Sequence, residues 1–251
     1  MSSLKLSLFR PTRSKRISQH FGENRACSYP NGKIVGKQGH NCPAGSVDFY
    51  KSIGMLAHNG QDIPGILGED VVHAGTFDGY MKIESDYSGG LGVDVISNVE
   101  LFFEGKAPKG LTTFVNKKTH KGVIGFTCYV KVRYWHLHAQ IGYDGKNVSF
   151  GQTVGLMGST GASSGTHLHW SWKFCNEFGR NLLPNNGYYG AFDPESPEFG
   201  VSYNHEVFAG DSVEYLGIKP TLTIPEKKEI INKLSFLKRL LLILRELVAK
   251  L

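Results

Sequence analysis

The chain has ten histidines in 251 residues, and some of them stand at spacings that can do chemistry. His167 and His169 lie two apart, as do His136 and His138. On a β-strand, residues i and i+2 point to the same face. His167 and His169 then look into one site while Leu168 turns away, which suits a metal ligand beside a supporting or catalytic imidazole. His58 is followed four residues on by Asp62. An imidazole and a carboxylate in one short segment can reach the same cation if the backbone turns at Gly60. Zinc favours four donors, and its catalytic sites use three protein ligands plus water. His58, Asp62 and His169 would complete such a set. Taken singly, each histidine reads as an ordinary surface or core-edge residue; the joint pattern changes that reading. His40 is a minor rival ligand. Cys27, Cys42, Cys128 and Cys175 form no Cys-x-x-Cys pair, which argues against a cysteine-based zinc site.

These groups must be carried by a scaffold, and the composition points to a β one. Gly is 31 of 251 residues, well above the usual level of about 7%, and Tyr, Phe and Val are plentiful. Short near-alternating apolar runs include Tyr80–Ile83, Gly92–Ile96, Thr127–His136, Thr153–Met157 and His167–Phe174. With turn signals at Gly89-Gly90 and Asp144-Gly145, they predict a mainly β, antiparallel fold. No window approaches the roughly 18 apolar residues of a membrane span. A disordered chain, a collagen-like repeat and a disulfide-dense miniprotein are excluded on composition. The domain reading is a basic, poorly structured N-terminal arm over 1–16, a main domain over 17–218, a linker over 219–225 and a C-terminal helix over 226–251. In that last segment Ile230, Leu234, Leu237, Leu241, Leu244, Val248 and Leu251 keep a heptad register. The helix can pack on the body, self-associate, or lie on a membrane or wall surface.

The net charge of +6 is unevenly spread. Residues 1–16 hold five basic and no acidic residues, 219–251 hold eight basic and three acidic, and 17–218 are net −4. A basic nucleic-acid-binding face on the body is therefore not expected. Cys27 and Cys42 flank a Gly-rich loop and can pair in an oxidising compartment, or all four cysteines stay as thiols. The N-terminus shows no apolar leader or small-residue cleavage site, so no signal peptide is recognised.

Gly158-Ser-Thr-Gly161-Ala-Ser-Ser-Gly165-Thr-His167-Leu-His169-Trp resembles the G-x-T-G-x-S-x-G-x-H-L-H-[FW] signature of the LytM/lysostaphin-type zinc metallopeptidases. His58-Asn-Gly60-Gln-Asp62 is similar to that family's H-x-G-x-D segment, Ser88-Gly89-Gly90-Leu-Gly92 to its G-G-x-G, and Tyr134-Trp-His136-Leu137 to its Y-x-H-L. Ser18-Gln-His-Phe21-Gly22 resembles the S-x-x-F-G lead-in, and the order is kept over roughly 18–175. The stretch from Gly92 to Tyr134 is longer than that pattern needs, so 100–125 reads as an insertion, either a long loop or a small hairpin. The resemblance implies one Zn²⁺ per chain held by His58, Asp62 and His169, with His136 and His167 as non-ligand catalytic histidines. It also implies an antiparallel β-sheet or sandwich of the duplicated-hybrid-motif kind, with peptide stems or cross-links of bacterial peptidoglycan as substrate. The site of action would be the cell wall. No H-E-x-x-H is present, so the proton-transfer role falls to His136 or His167. Two other readings stand beside this one: a non-catalytic peptidoglycan-binding activator, and a virion structural component on the same scaffold.

Overall fold

The computed structural model describes residues 6–36, 42–112 and 115–211. His40, the linker over 219–225 and the helix over 226–251 lie outside them. The strands are β1 (Ser7–Arg10), β2 (Ala26–Ser28), β3 (Ile34–Gly36), β4 (Val47–Asp48), β5 (Gln61–Pro64), β6 (Asp70–Val72), β7 (Gly79–Asp86), β8 (Gly90–Ser97), β9 (Leu101–Glu104), β10 (Asn116–His120), β11 (Val123–Leu137), β12 (Ala139–Gln140), β13 (Asn147–Val148), β14 (Thr153–Leu156), β15 (His167–Cys175), β16 (Ala191–Phe192) and β17 (Ser202–Phe208). One short helix, α1 (Phe49–Ser52), follows β4. The fold is mainly β with antiparallel sheets, as the alternating runs predict.

The central sheet runs β13-β7-β8-β11-β15-β16, with β5 added to β15 and with β9 and β10 on the first half of β11. Its two faces follow directly from the sequence period. Along β15, Leu168, Trp170, Trp172 and Phe174 alternate with His167, His169, Ser171 and Lys173. The first set is fully buried in the main core, where it meets Val130, Val132 and Tyr134 of β11 and Val93 and Val95 of β8. Each large side chain buried there contributes roughly 1.5–3 kcal/mol. The polar set is left on the opposite face, and that face carries the chemistry.

The N-terminal segment differs from the arm expected over 1–16. Ser7–Arg10 pairs in parallel with β17, and Leu6 and Leu8 are buried in the core. The period-two placement of these leucines outweighs the basic residues around them, and Arg10, at the end of the strand, is itself buried and donates to the Thr12, Arg13 and Glu206 carbonyls. Strands β2, β3 and β4 form a small sheet of order β3-β2-β4, on which α1 packs through Tyr50, with Met55 beside it. Cys27 and Cys42 are joined by a disulfide across this unit, while Cys128 and Cys175 are buried thiols. Residues 100–125 contain β9 and β10, the latter in a hairpin with β11.

His73 belongs to the core and not to the site. It donates through Nε2–H to the Phe77 carbonyl and accepts the Tyr134 hydroxyl hydrogen at Nδ1, both at 3.0 Å. Tyr134 in turn accepts the Ala74 N–H. Burial lowers the His73 pKa from 6.5 to about 4. As pH falls, the unfolded chain therefore takes up a proton before the folded one does, so stability present above pH 6.5 is lost towards pH 4. Over that interval the linkage is worth roughly 3 kcal/mol. Urea unfolding at pH 7 and pH 4.5 should show this loss, and His73→Gln should show a shallower pH dependence than the wild type.

Candidate metal centre

His169 sits on β15 between two strands: Asp62 of β5 stands opposite it on one side and Trp135 of β11 on the other. His58 reaches the same place across Gly60. That turn packs so tightly on β15 that a Cβ at position 60 would lie 2.6 Å from the Trp170 carbonyl and 2.9 Å from the His169 ring. The lead-in segment lies alongside and holds the turn: Ser18 N–H bonds to the Asp62 carbonyl, Asp62 N–H to Gln19, His58 N–H to Glu23 and Gly22 N–H to His58.

Three potential donors meet in a triangle. His58 Nε2 is 2.9 Å from His169 Nδ1 and 3.0 Å from Asp62 Oδ1, and His169 Nδ1 is 3.1 Å from the same oxygen. His167 Nε2 is 3.6 Å from that oxygen. The ring protons are fixed by backbone carbonyls, which can only accept. His58 Nδ1–H donates to the His20 carbonyl at 3.1 Å, His136 Nδ1–H to Thr160 at 2.8 Å and His167 Nδ1–H to Gly165 at 2.8 Å. In the neutral rings each Nε2 is left with a lone pair. His58 Nε2 and Asp62 Oδ1 are then two acceptors in contact, with at most one hydrogen, on His169 Nδ1, to serve both. A cation between them relieves this. Tetrahedral zinc with bonds of about 2.1 Å spaces its donors roughly 3.4 Å apart, slightly wider than the triangle seen. Two imidazoles and a carboxylate are a zinc-type donor set, so these residues fit the metal.

The electrostatics favour the same state. Burial opposes charge on Asp62, but His58 beside it and the hydrogen bond from His169 hold its carboxyl well below the usual carboxylate range. Burial takes the His169 pKa down to about 3, against the pull of its hydrogen bond to Asp62. Burial and the neighbouring His167 take His136 to about 4. Both rings are thus neutral at pH 7, the form that offers a lone pair.

His136 is placed by an irregularity. Its φ is +64°, in the left-handed region, and the β11–β8 register shifts between Tyr134 and Leu137. The Gly89 carbonyl takes its N–H, and its ring centroid comes within 4.6 Å of that of His167. Thr160 locks the corner further: its hydroxyl donates to the Leu137 carbonyl and accepts from Leu91 N–H. His58, Asp62, His136, His167 and His169 all line one open cleft of about 240 Å³. One wall of that cleft comes from β2, β3 and α1 through Ala26, Ile34 and Tyr50. His73, His120, His138 and His205 do not line it. His20 contributes its carbonyl, not its ring, which pairs with Glu195. The carbonyls of His20, Thr160 and Gly165 are what the sequence reading missed.

No protein-family model and no curated protein sequence matches the chain. Among solved structures it is similar to a zinc-containing peptidase from Vibrio cholerae, at 19% identity and a TM-score of 0.42, over 76% of this chain and 39% of that one. It is similar to the catalytic domain, in a point-mutant form, of the prophage-encoded M23 protein EnpA from Enterococcus faecalis, at 15% identity and a TM-score of 0.39, covering 72% of this chain and 88% of that one. The catalytic domain of the antimicrobial peptidase lysostaphin from Staphylococcus simulans is similar at 20% identity and a TM-score of 0.37, covering 71% of this chain and 88% of that one. The cleft residues are therefore weighed on their own chemistry.

Two outcomes are expected. After dialysis against zinc, elemental analysis should find one equivalent in the wild type and in His136→Ala and His167→Ala, and none in His58→Ala, Asp62→Ala or His169→Ala. At position 136 an L side chain in the left-handed region costs roughly 1 kcal/mol, so His136→Gly should melt a few degrees above His136→Ala.

Proposed function

We propose that this chain is a zinc-dependent endopeptidase that cleaves peptide stems or cross-links of bacterial peptidoglycan and acts at the cell wall. The observation that carries the reading is the convergence of His58, Asp62 and His169 on one point of an open cleft, with the Nε2 lone pairs of two further histidines beside it. The choice of peptidoglycan peptides rests on the likeness of 158–170 to the signature described above.

His58, Asp62 and His169 would hold the ion. Zinc, when bound, supplies Lewis acidity, which acidifies water and polarises a carbonyl. The chain's own residues supply the rest. His136 and His167 each hold Nδ1–H on a carbonyl, of Thr160 and Gly165, which leaves Nε2 as the nitrogen available for proton transfer. One ring takes a proton from water and delivers it to the leaving amine; the other, once protonated, stabilises negative charge developing on the carbonyl oxygen. The Asp62 carboxylate, ionised by its neighbours, keeps the charge of the donor set at −1 and leaves an ion there net positive. The Gly60 turn and the lead-in segment, through the bonds between His58 and Gly22 and Glu23, keep His58 from moving away.

The test is digestion of purified sacculi by the full chain with zinc, followed by mass spectrometry of the released muropeptides and assay of new amino groups. Cleavage is expected, with loss on chelation and recovery on adding zinc. His136→Ala and His167→Ala should each lower the rate by about 10²-fold or more while still binding the metal. Binding to sacculi with no new amines under any of these conditions would favour the non-catalytic reading instead.

A further inference from the structure

Beyond the five cleft residues, the same polar sheet face carries an unusual group of charges. On β11, Arg133 stands opposite Asp94 of β8, and Lys131 stands opposite Lys173 of β15. Asp94 is fully buried. It accepts Nε–H and Nη2–H of Arg133 at 2.8 and 2.9 Å and has Lys131 Nζ at 3.5 Å. Lys131 also donates to the Gly179 carbonyl, and Lys173 is buried with 1% of its surface exposed. The neighbouring acids are engaged elsewhere: Glu84 with Lys82 at 2.8 Å, and Asp86 with the Ser88 hydroxyl and Gly89 N–H of its own turn. Three cations thus gather around one carboxylate. Burial, and then repulsion from Arg133 and Lys131, bring the Lys173 pKa down to about 7.

Arg133 is the member that reaches the cleft. Its guanidinium is held in place: forked on Asp94 and laid over the Trp135 ring at 4.3 Å. Trp135 in turn lies on Gly89 and Gly92, where a Cβ would come within 0.9 and 2.7 Å of its ring. The third guanidinium nitrogen, Nη1, has no acceptor among the described residues, and about a fifth of the side chain is exposed (21%). A planar fork already fixed on one side is a preorganised partner for a second anion.

We propose that Arg133 forms a carboxylate-binding subsite of this cleft, so that the substrate is a peptide bearing a free carboxylate near the cleaved bond, and not an uncharged oligoglycine bridge. The proposal rests on the peptidase reading and narrows it. Arg133 lies two residues along β11 from Trp135, which stands opposite His169. That is about 7 Å, the span of two extended residues, so the carboxylate falls within about two residues of the reacting carbonyl.

The test uses the full chain, measured with zinc and again after chelation, and two synthetic peptides: L-Ala-D-isoglutamyl-L-Lys-D-Ala with free carboxylates, and the same peptide with every carboxylate amidated. Calorimetric titration should show the free acid binding roughly 10-fold more tightly in both metal states, with the difference shrinking as salt is raised. Arg133→Lys keeps a charge beside Asp94 but loses the fork, and it should bring the ratio to near one with an unchanged circular dichroism spectrum. Equal affinity of the wild type for the two peptides overturns the subsite without reference to any variant, as does failure to bind the free acid at millimolar concentration. A clear preference in binding, with no cleavage of sacculi by the zinc-loaded chain, would leave the subsite standing and remove the peptidase reading.

Discussion

The cleft depends on one register: Asp62, His169 and Trp135 stand side by side across β5, β15 and β11. Because a strand alternates faces, a slip of one residue on β15 would put Trp170 and Trp172 into the cleft and His169 and Lys173 into the core. The core forbids this, since Trp170, Trp172 and Phe174 are completely buried in it. Hydrophobic burial on one face of the sheet is therefore what aligns the ligand atoms on the other. The histidines make no comparable contribution to holding the strand in place, and the site is carried by packing it does not touch.

A second constraint acts at the level of single protons. Carbonyls from three separate segments take the Nδ1 hydrogens of His58, His136 and His167. Each bond fixes a tautomer; the Nε2 atoms of His58 and His167 stand 3.0 and 3.6 Å from the Asp62 carboxylate, with the His136 ring beside that of His167. Such a set of acceptors is unfavourable when left alone and favourable around a cation. The backbone thus does the selecting, and the side chains follow. The left-handed φ of His136 is the local cost of bringing one of these rings round to the others.

This division explains what could be read from the sequence. His58, Asp62, His167 and His169 were legible as candidates because their side chains announce their chemistry and their spacing suits a strand and a Gly turn, whereas His136 was singled out only by the likeness of Tyr134-Trp-His136-Leu137 to a known motif. The strand alternation was legible for the same reason in β11 and β15. The carbonyls of His20, Thr160 and Gly165 left no mark, since every residue carries one and only the fold says where it points. The strand at Ser7–Arg10 was hidden by its basic neighbours, although the leucines at positions 6 and 8 already showed the period. The pairing of Cys27 with Cys42 turned on a Cα separation, 5.5 Å, that only the folded chain defines.

Charge shows most plainly where counting residues stops being useful. The body over 17–218 is net negative, which argues against a broad cationic face. Yet within it Lys131, Arg133 and Lys173 converge on a single buried carboxylate. Lysine and arginine on a strand are ordinarily read as facing water. Here they occupy the alternate positions of β11 and β15 whose partners on the other face are Val130, Val132, Trp172 and Phe174, so the same period that builds the core also gathers the cations. At short range a buried group acts with less screening than the dispersed surface acids that set the net charge. The local charge of the cleft wall is therefore set by Arg133 and its buried neighbours, and the sign of the whole molecule has little bearing on it.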